Sequence, residues 1–214
     1  MKLKKIASLM LAGVMAVSML AGCATASNNG DDGEGEGEGQ VSTSNSSSIL
    51  HDAMVGNARK MTTPTASSAL DTALKNAVDT YFQNTEYINI INFDSVGDVN
   101  GKMYDALVKA MDAEKNINPD LYAAANNSKV TTVVKLYAAE ASISDTYALE
   151  KVADEIQGSV AGLPETSANG EWNYTYTISA SIVTKPVTSS IVEGVTGGVK
   201  YIAVAVTQTP AAVV

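Results

Sequence analysis

Trp172-Asn173-Tyr174-Thr175-Tyr176-Thr177-Ile178-Ser179-Ala180-Ser181-Ile182 decides the fold. Large apolar residues alternate with Asn, Thr and Ser over the whole stretch, and a period of two belongs to a β-strand with one face against a core and one toward water. The rest of the chain must supply what covers the apolar face.

Upstream, the spacing changes to three and four. Ala69/Leu70, Ala73/Leu74, Ala77/Val78 and Tyr81/Phe82 mark one face of a helix over 69–82, with Thr63 as its cap and Pro64 in its first turn. Ile49 to Met61 reads as a shorter helix that stops before Thr62-Thr63-Pro64. Met103, Ala106, Leu107, Ala110 and Met111 give another over 100–116, after a turn at Ser95 to Gly101. Asn118 is placed to cap a short helix running to Ala125, where Asn126-Asn127-Ser128 breaks it. Ser142 and Asp145 form a capping-box-like start for a helix through Leu149, Val152, Ala153, Ile156 and Val160, ended by Gly162-Leu163-Pro164.

Three further stretches read as strands: the isoleucine-rich Tyr87 to Phe93, Val130 to Ala139, and Val199 to Thr207. A loop or small hairpin is expected over Thr184 to Gly198, and a ragged apolar tail after the last strand. Helices and strands in this order predict an α+β fold, a two-layer sandwich with about three main helices on one face of a small mixed β-sheet. It occupies 49–214 as one domain.

The N-terminal part has a different character. Lys2, Lys4 and Lys5 precede an uncharged, mostly apolar run from Ile6 to Leu20, which ends at Leu20-Ala21-Gly22-Cys23. That run is shorter than the roughly 20 residues that span a bilayer, and its layout is that of a secretory signal. Leu20-Ala21-Gly22-Cys23 resembles the lipobox of bacterial lipoproteins. The resemblance implies a signal peptide at 1–22 cut before Cys23, a diacylglycerol group on the Cys23 thiol, an acylated new N-terminus and an extracytoplasmic, membrane-anchored protein. Two or three acyl chains hold a protein at a membrane durably, since each buried methylene contributes about 0.8 kcal/mol. Residues 23–48 read as the lipidated cysteine and a spacer of Ser, Asn, Gly and acids. Its Glu-Gly repeat at 34–39 cannot bury a core, and as a coil of 25 residues it would reach about 25–30 Å.

Charge narrows the partners. The chain carries −9, and removal of a leader with three lysines and no acid leaves −12. Nucleic acid and anionic lipid surfaces need a basic footprint, so neither is an expected partner. The expected partners are the membrane, through lipid, and an envelope protein or glycan. Cys23 is the one cysteine, so the chain has no internal disulfide.

Catalytic and metal sets are thin. With His51 the one histidine, Ser-His-Asp and Cys-His arrangements lack parts, and zinc sets lack ligands; a solvated helix position is expected for it. Asp98-Val99-Asn100-Gly101 opens like the calcium loop of dockerin modules, but Lys102, Met103 and Lys109 stand where ligands and a glycine are needed. Thr72/Lys75 and Thr132/Lys135 are the nearest approaches to Ser-x-x-Lys. Glu140 and Glu171, both at strand ends, are the candidate pair for carboxylate hydrolysis. Trp172, Tyr174 and Tyr176 share one strand face and are the candidate ligand platform, against the simpler reading that they are core; the Thr/Ser row opposite is a candidate surface for a polar polymer. No cofactor is implied. Three functions remain open on these readings: a non-catalytic binding or assembly module, an envelope glycan or peptide hydrolase, and a subunit that polymerises by strand addition at Val199 to Thr207.

Overall fold

The computed structural model describes residues 43–82, 96–121, 123, 128–188 and 196–213. The expected strand at Tyr87 to Phe93 lies outside the described residues, as does Cys23. In order, the elements are α1 (Thr43–Ala53), α2 (Gly56–Met61), β1 (Thr62–Pro64), α3 (Ser68–Tyr81), β2 (Gly97–Asp98), α4 (Lys102–Ala110), α5 (Ile117–Asp120), β3 (Thr131–Glu140), α6 (Asp145–Ala161), β4 (Trp172–Thr188) and β5 (Thr196–Ala212). They make an α+β fold on a single five-stranded mixed sheet, β1-β4-β5-β3-β2, in which only the β1/β4 pair is parallel.

The decisive stretch is the first part of β4, which is longer than its period-two signature. It runs through Lys185 and Pro186 to Thr188 and pairs along its whole length with β5, Trp172 against Ala212 and Thr188 against Thr196. Much of the loop expected at 184–198 is therefore strand, and so is most of the expected tail. Proline is tolerated because β4 has a free side here: among the described residues, β1 covers only Tyr176 to Ile178. Gly198 is required by closeness, since a Cβ there would sit 2.8 Å from the Ala141 Cβ and 2.9 Å from the Lys185 carbonyl oxygen.

Helices pack on both faces of the sheet, where one covered face was expected. On the first face, α1, α2 and α6 bury Leu50, Met54, Ala58, Leu149, Val152 and Ile156 against Tyr176, Ile178, Ala180, Ile202 and Val204. On the second, α3 and α4 bury Leu70, Leu74, Val78, Met103 and Leu107 against Val134, Leu136, Tyr201, Ala203 and Ala205. The alternation of β5 supplies both cores, even positions to one side and odd to the other.

Helix starts differ from the sequence reading by a few residues, for local reasons. Ser67 caps α3, its Oγ accepting from the Leu70 N–H; Thr62 to Pro64 instead become β1. Ser144 caps α6, accepting from Tyr147 N–H, in place of Ser142. The short helix expected from Asn118 to Ala125 is described only as the one broken turn α5, whose preceding Asn116 makes no side-chain cap; much of the remainder lies outside the described residues. The domain also begins earlier than 49: Ser46 and Ser47 are buried in α1. The Ala180 N–H donates to the Ser47 Oγ (3.0 Å), which donates to the Thr65 carbonyl (3.0 Å). A side chain of spacer-like composition thus completes the β4 edge where β1 stops, as a buried backbone N–H requires.

Candidate functional site

The expected platform belongs to the covered face. Tyr174 and Tyr176 are buried and Trp172 packs against the same core. The Tyr176 hydroxyl donates to the Pro164 carbonyl (2.7 Å), and the two tyrosine rings are tilted by 58° rather than coplanar. Backbone bonds from Ser167 to Trp172 and from Tyr174 to Glu165 close the 163–167 segment over them. These rings are core, and they do not form a flat stacking surface.

The carboxylate pair does not meet. Glu140 lies opposite Val199, and Glu171 accepts from the Val213 N–H. The two occupy opposite ends of β5, about 45 Å apart at the rise of a strand, whereas glycosidase pairs stand about 5–9.5 Å apart. The threonine-lysine pairs fail as well. Thr72 Oγ1 donates back to the Ser68 carbonyl while Lys75 pairs with Asp79, and Thr132 bonds Thr207 on the face opposite to Lys135.

His51 is tied rather than solvated. It sits in the last turn of α1, and its Nε2 is 3.0 Å from both the Arg59 and Thr62 carbonyl oxygens, so Nε2–H is the donor. It joins α1 to the start of β1. Asp98 is in β2 opposite Tyr137, and Gly101, at φ 86°, turns the chain into α4. Among the described residues, no group of three or more His, Cys, Asp or Glu side chains could hold a metal ion, and no helix is long and apolar enough to cross a membrane.

Strand addition at Val199 to Thr207 is ruled out by topology. That segment is central, with β4 on one side and β3 on the other. The outer side of β3 is met by β2 and by bonds linking Val99 to Leu136 and Glu114 to Thr132 and Val134. The β3 flank is thus occupied, and on the β4 flank, where β1 covers only Tyr176 to Ile178, Pro186 has no N–H to give an added strand.

Two polar features complete the interior. Lys200, 4% exposed, donates to the Ile143 carbonyl (2.6 Å) and pairs with Asp145, fixing the first turn of α6 to β5. Tyr104 brings α4 to β3, its hydroxyl 2.8 Å from the Val134 carbonyl oxygen; burial, and then the charge of Asp98, push its phenol up to about 12. Burial also raises the Tyr137 phenol.

Among the described residues, part of the second sheet face carries no covering helix: α3 and α4 pack on it toward Thr188 and not toward Trp172. Register aligns Thr63, Thr177, Thr207 and Thr132 in one row across β1, β4, β5 and β3. Thr175 and Thr209 face each other in the next row, and Asn173 and Ala211 in the one after. Thr63, Thr175 and Thr209 are exposed; Thr177, Thr207 and Thr132 are half-buried. Thr132 Oγ1 and Thr207 Oγ1 are hydrogen-bonded at 2.9 Å. The hydroxyl row of β4 was visible in the sequence, but its partners on three other strands depend on register.

No protein-family model, curated protein or solved structure matches this chain.

Proposed function

We propose that this chain is a lipoprotein of the bacterial cell envelope, anchored by lipid on Cys23 and presenting its α+β domain outside the cytoplasm as a non-catalytic binding or assembly module. The observation that carries the reading is Leu20-Ala21-Gly22-Cys23 after a basic start and an apolar run too short to span a bilayer. The distance between Glu140 and Glu171 and the engagement of His51 with backbone carbonyls support a binding role over hydrolysis. The guarded sheet edges speak against polymerisation by strand addition.

Expression in a bacterial host with a functioning lipoprotein pathway tests this. The chain should sediment with membranes, and mass spectrometry of its N-terminal peptide should show cleavage before Cys23 and a mass increase of diacylglycerol plus acyl. Cys23→Ser should abolish the increase and release the domain from the lipid-bound state. An unmodified thiol in the native product overturns the reading.

A further inference from the structure

Asparagine followed by glycine occurs three times in the chain, at Asn29-Gly30, Asn100-Gly101 and Asn169-Gly170. In such a dipeptide the glycine nitrogen can reach the asparagine side-chain carbonyl, because the second residue has no side chain to obstruct the approach. Asn29-Gly30 lies outside the described residues. The other two pairs are exposed, and both glycines have positive φ, 86° at Gly101 and 71° at Gly170. Exposure and local sequence therefore do not separate them. Hydrogen bonding does.

Asn169 is held at every reacting atom. Its Oδ1 accepts from the Ser167 Oγ (2.7 Å) and from the Glu171 N–H (3.3 Å), and its Nδ2 donates to the Glu171 Oε2 (2.8 Å). The Gly170 N–H donates to the Ser167 carbonyl (2.9 Å). At Asn100, among the described residues, neither the side-chain amide nor the Gly101 N–H makes a hydrogen bond. The chain is anchored on either side instead, by the Val99 N–H on the Leu136 carbonyl (2.8 Å) and by the Asp105 N–H on the Gly101 carbonyl (2.9 Å). A Cβ at Gly101 would meet nothing within 4 Å, so a ring closing there has room. The combination φ 86° and ψ −154° belongs to glycine alone. The turn into α4 thus demands the very residue that makes Asn100 reactive.

We propose that Asn100 is a site of spontaneous deamidation and that the fold protects Asn169 from the same reaction. The Gly101 nitrogen bonds to the Asn100 Cγ, the Cγ–Nδ2 bond breaks, and ammonia leaves with the Gly101 amide proton, giving a cyclic succinimide. Water then opens the ring at one carbonyl or the other, so that Asn100 becomes aspartate or isoaspartate, with no oxidant or reductant consumed. Either product places a carboxylate just before α4, at the helix end that favours anions, and makes the chain one charge more negative. Isoaspartate also routes the backbone through the former side chain, adding a methylene between β2 and α4.

The purified chain, incubated at mildly alkaline pH in native buffer and in denaturant, tests this directly. Peptide mass spectrometry follows the amide-to-acid conversion at each asparagine, and a methyltransferase specific for isoaspartate gives a second readout. In native buffer Asn100 should convert at least tenfold faster than Asn169, with methyl transfer to the Asn100 peptide. In denaturant the two rates should come within about threefold of each other, because the hydrogen bonds that distinguish the sites are gone. Ser167→Ala combined with Glu171→Ala, which takes away two side-chain partners of Asn169, should raise its native rate severalfold. Asn100→Gln should remove the fast product. An Asn100 that stays intact in native buffer while the denatured chain converts overturns the proposal. So do equal native rates at the two sites, or a tenfold difference that persists in denaturant and so owes nothing to the fold.

Discussion

Along the second face of the sheet, the half toward Thr188 and the half toward Trp172 share one continuous β4/β5 ladder and end in opposite surroundings. In the first, Tyr201, Ala203 and Ala205 of β5 and Leu136 and Val134 of β3 are sealed under α3 and α4. In the second, Thr207, Thr209 and Thr132 continue the same positions with hydroxyls, and none of the described helices covers them. The difference lies in what the side chains offer a docking helix: methyl and ring surface is worth about 25 cal/mol per Å² removed from water, whereas an unpaired hydroxyl costs free energy to bury. Ser179 and Ser181 show where the boundary falls. They belong to the polar alternation of β4, yet both are buried, because their cross-strand partners are Ala205 and Ala203 in the sealed half.

The largest expected effect breaks the sealed half. Leu74→Ala, in the middle of α3 and fully buried, should cost about 2–5 kcal/mol in denaturant unfolding, while Thr175→Ala in the open half should stay within about 0.5 kcal/mol. Equal losses at the two sites would mean that the halves are not distinct. Next comes the β4 edge. Ser47→Ala leaves the Ala180 N–H without its acceptor and should cost about 1–3 kcal/mol, with faster hydrogen exchange at Ala180 as the specific sign.

Gln208 sharpens the contrast from the other side of the sheet. It is 0% exposed and, among the described residues, neither amide atom has a hydrogen-bond partner; it lies one residue beyond the half-buried Thr207. Gln208→Leu should be neutral or raise stability by about 1 kcal/mol, because it removes an unsatisfied buried amide; a loss of several kcal/mol would show that the amide is engaged. The smallest effect concerns pH. The Tyr104 phenol is raised from 10.0 to about 12 in the fold, so its contribution is complete below pH 10 and is lost as pH rises through about 12. The unfolding midpoint should fall across this window, and less steeply in Tyr104→Phe than in the parent.

Much of this was legible. Period two at 172–182, the three-four recurrence at 69–82 and the stripe from Leu149 to Val160 specify a strand and two helices by side-chain direction alone. Three parts were not. Thr62 to Pro64 read as a stop and a cap because a three-residue strand has no signature apart from its partner, and β1 exists only through its register with Tyr176 to Ile178. Ser46 and Ser47 read as spacer because composition cannot distinguish a solvated serine from one that completes a strand edge. Lys185 and Pro186 read as a loop, although Lys185 reaches Asp79 and Pro186 lies on the less covered side of β4. The lysine contacts, from Lys185 first and Lys75 second, hold the Asp79 carboxyl down at about 2. The candidate face was half legible for the same reason: threonines at alternate positions of β4 were plain, whereas their alignment with Thr63, Thr207 and Thr132 is set by pairing.

Thiol labelling measures the central contrast most directly. In a Cys23→Ser background, single substitutions Thr175→Cys and Thr209→Cys on the open half, and Ala203→Cys and Ala205→Cys on the sealed half, are exposed to a thiol reagent under native conditions. Cysteines at 175 and 209 should react at rates close to those of the unfolded chain, and those at 203 and 205 only after denaturant is added. Similar native rates at all four positions would contradict the division of the sheet into a sealed half and a presented one.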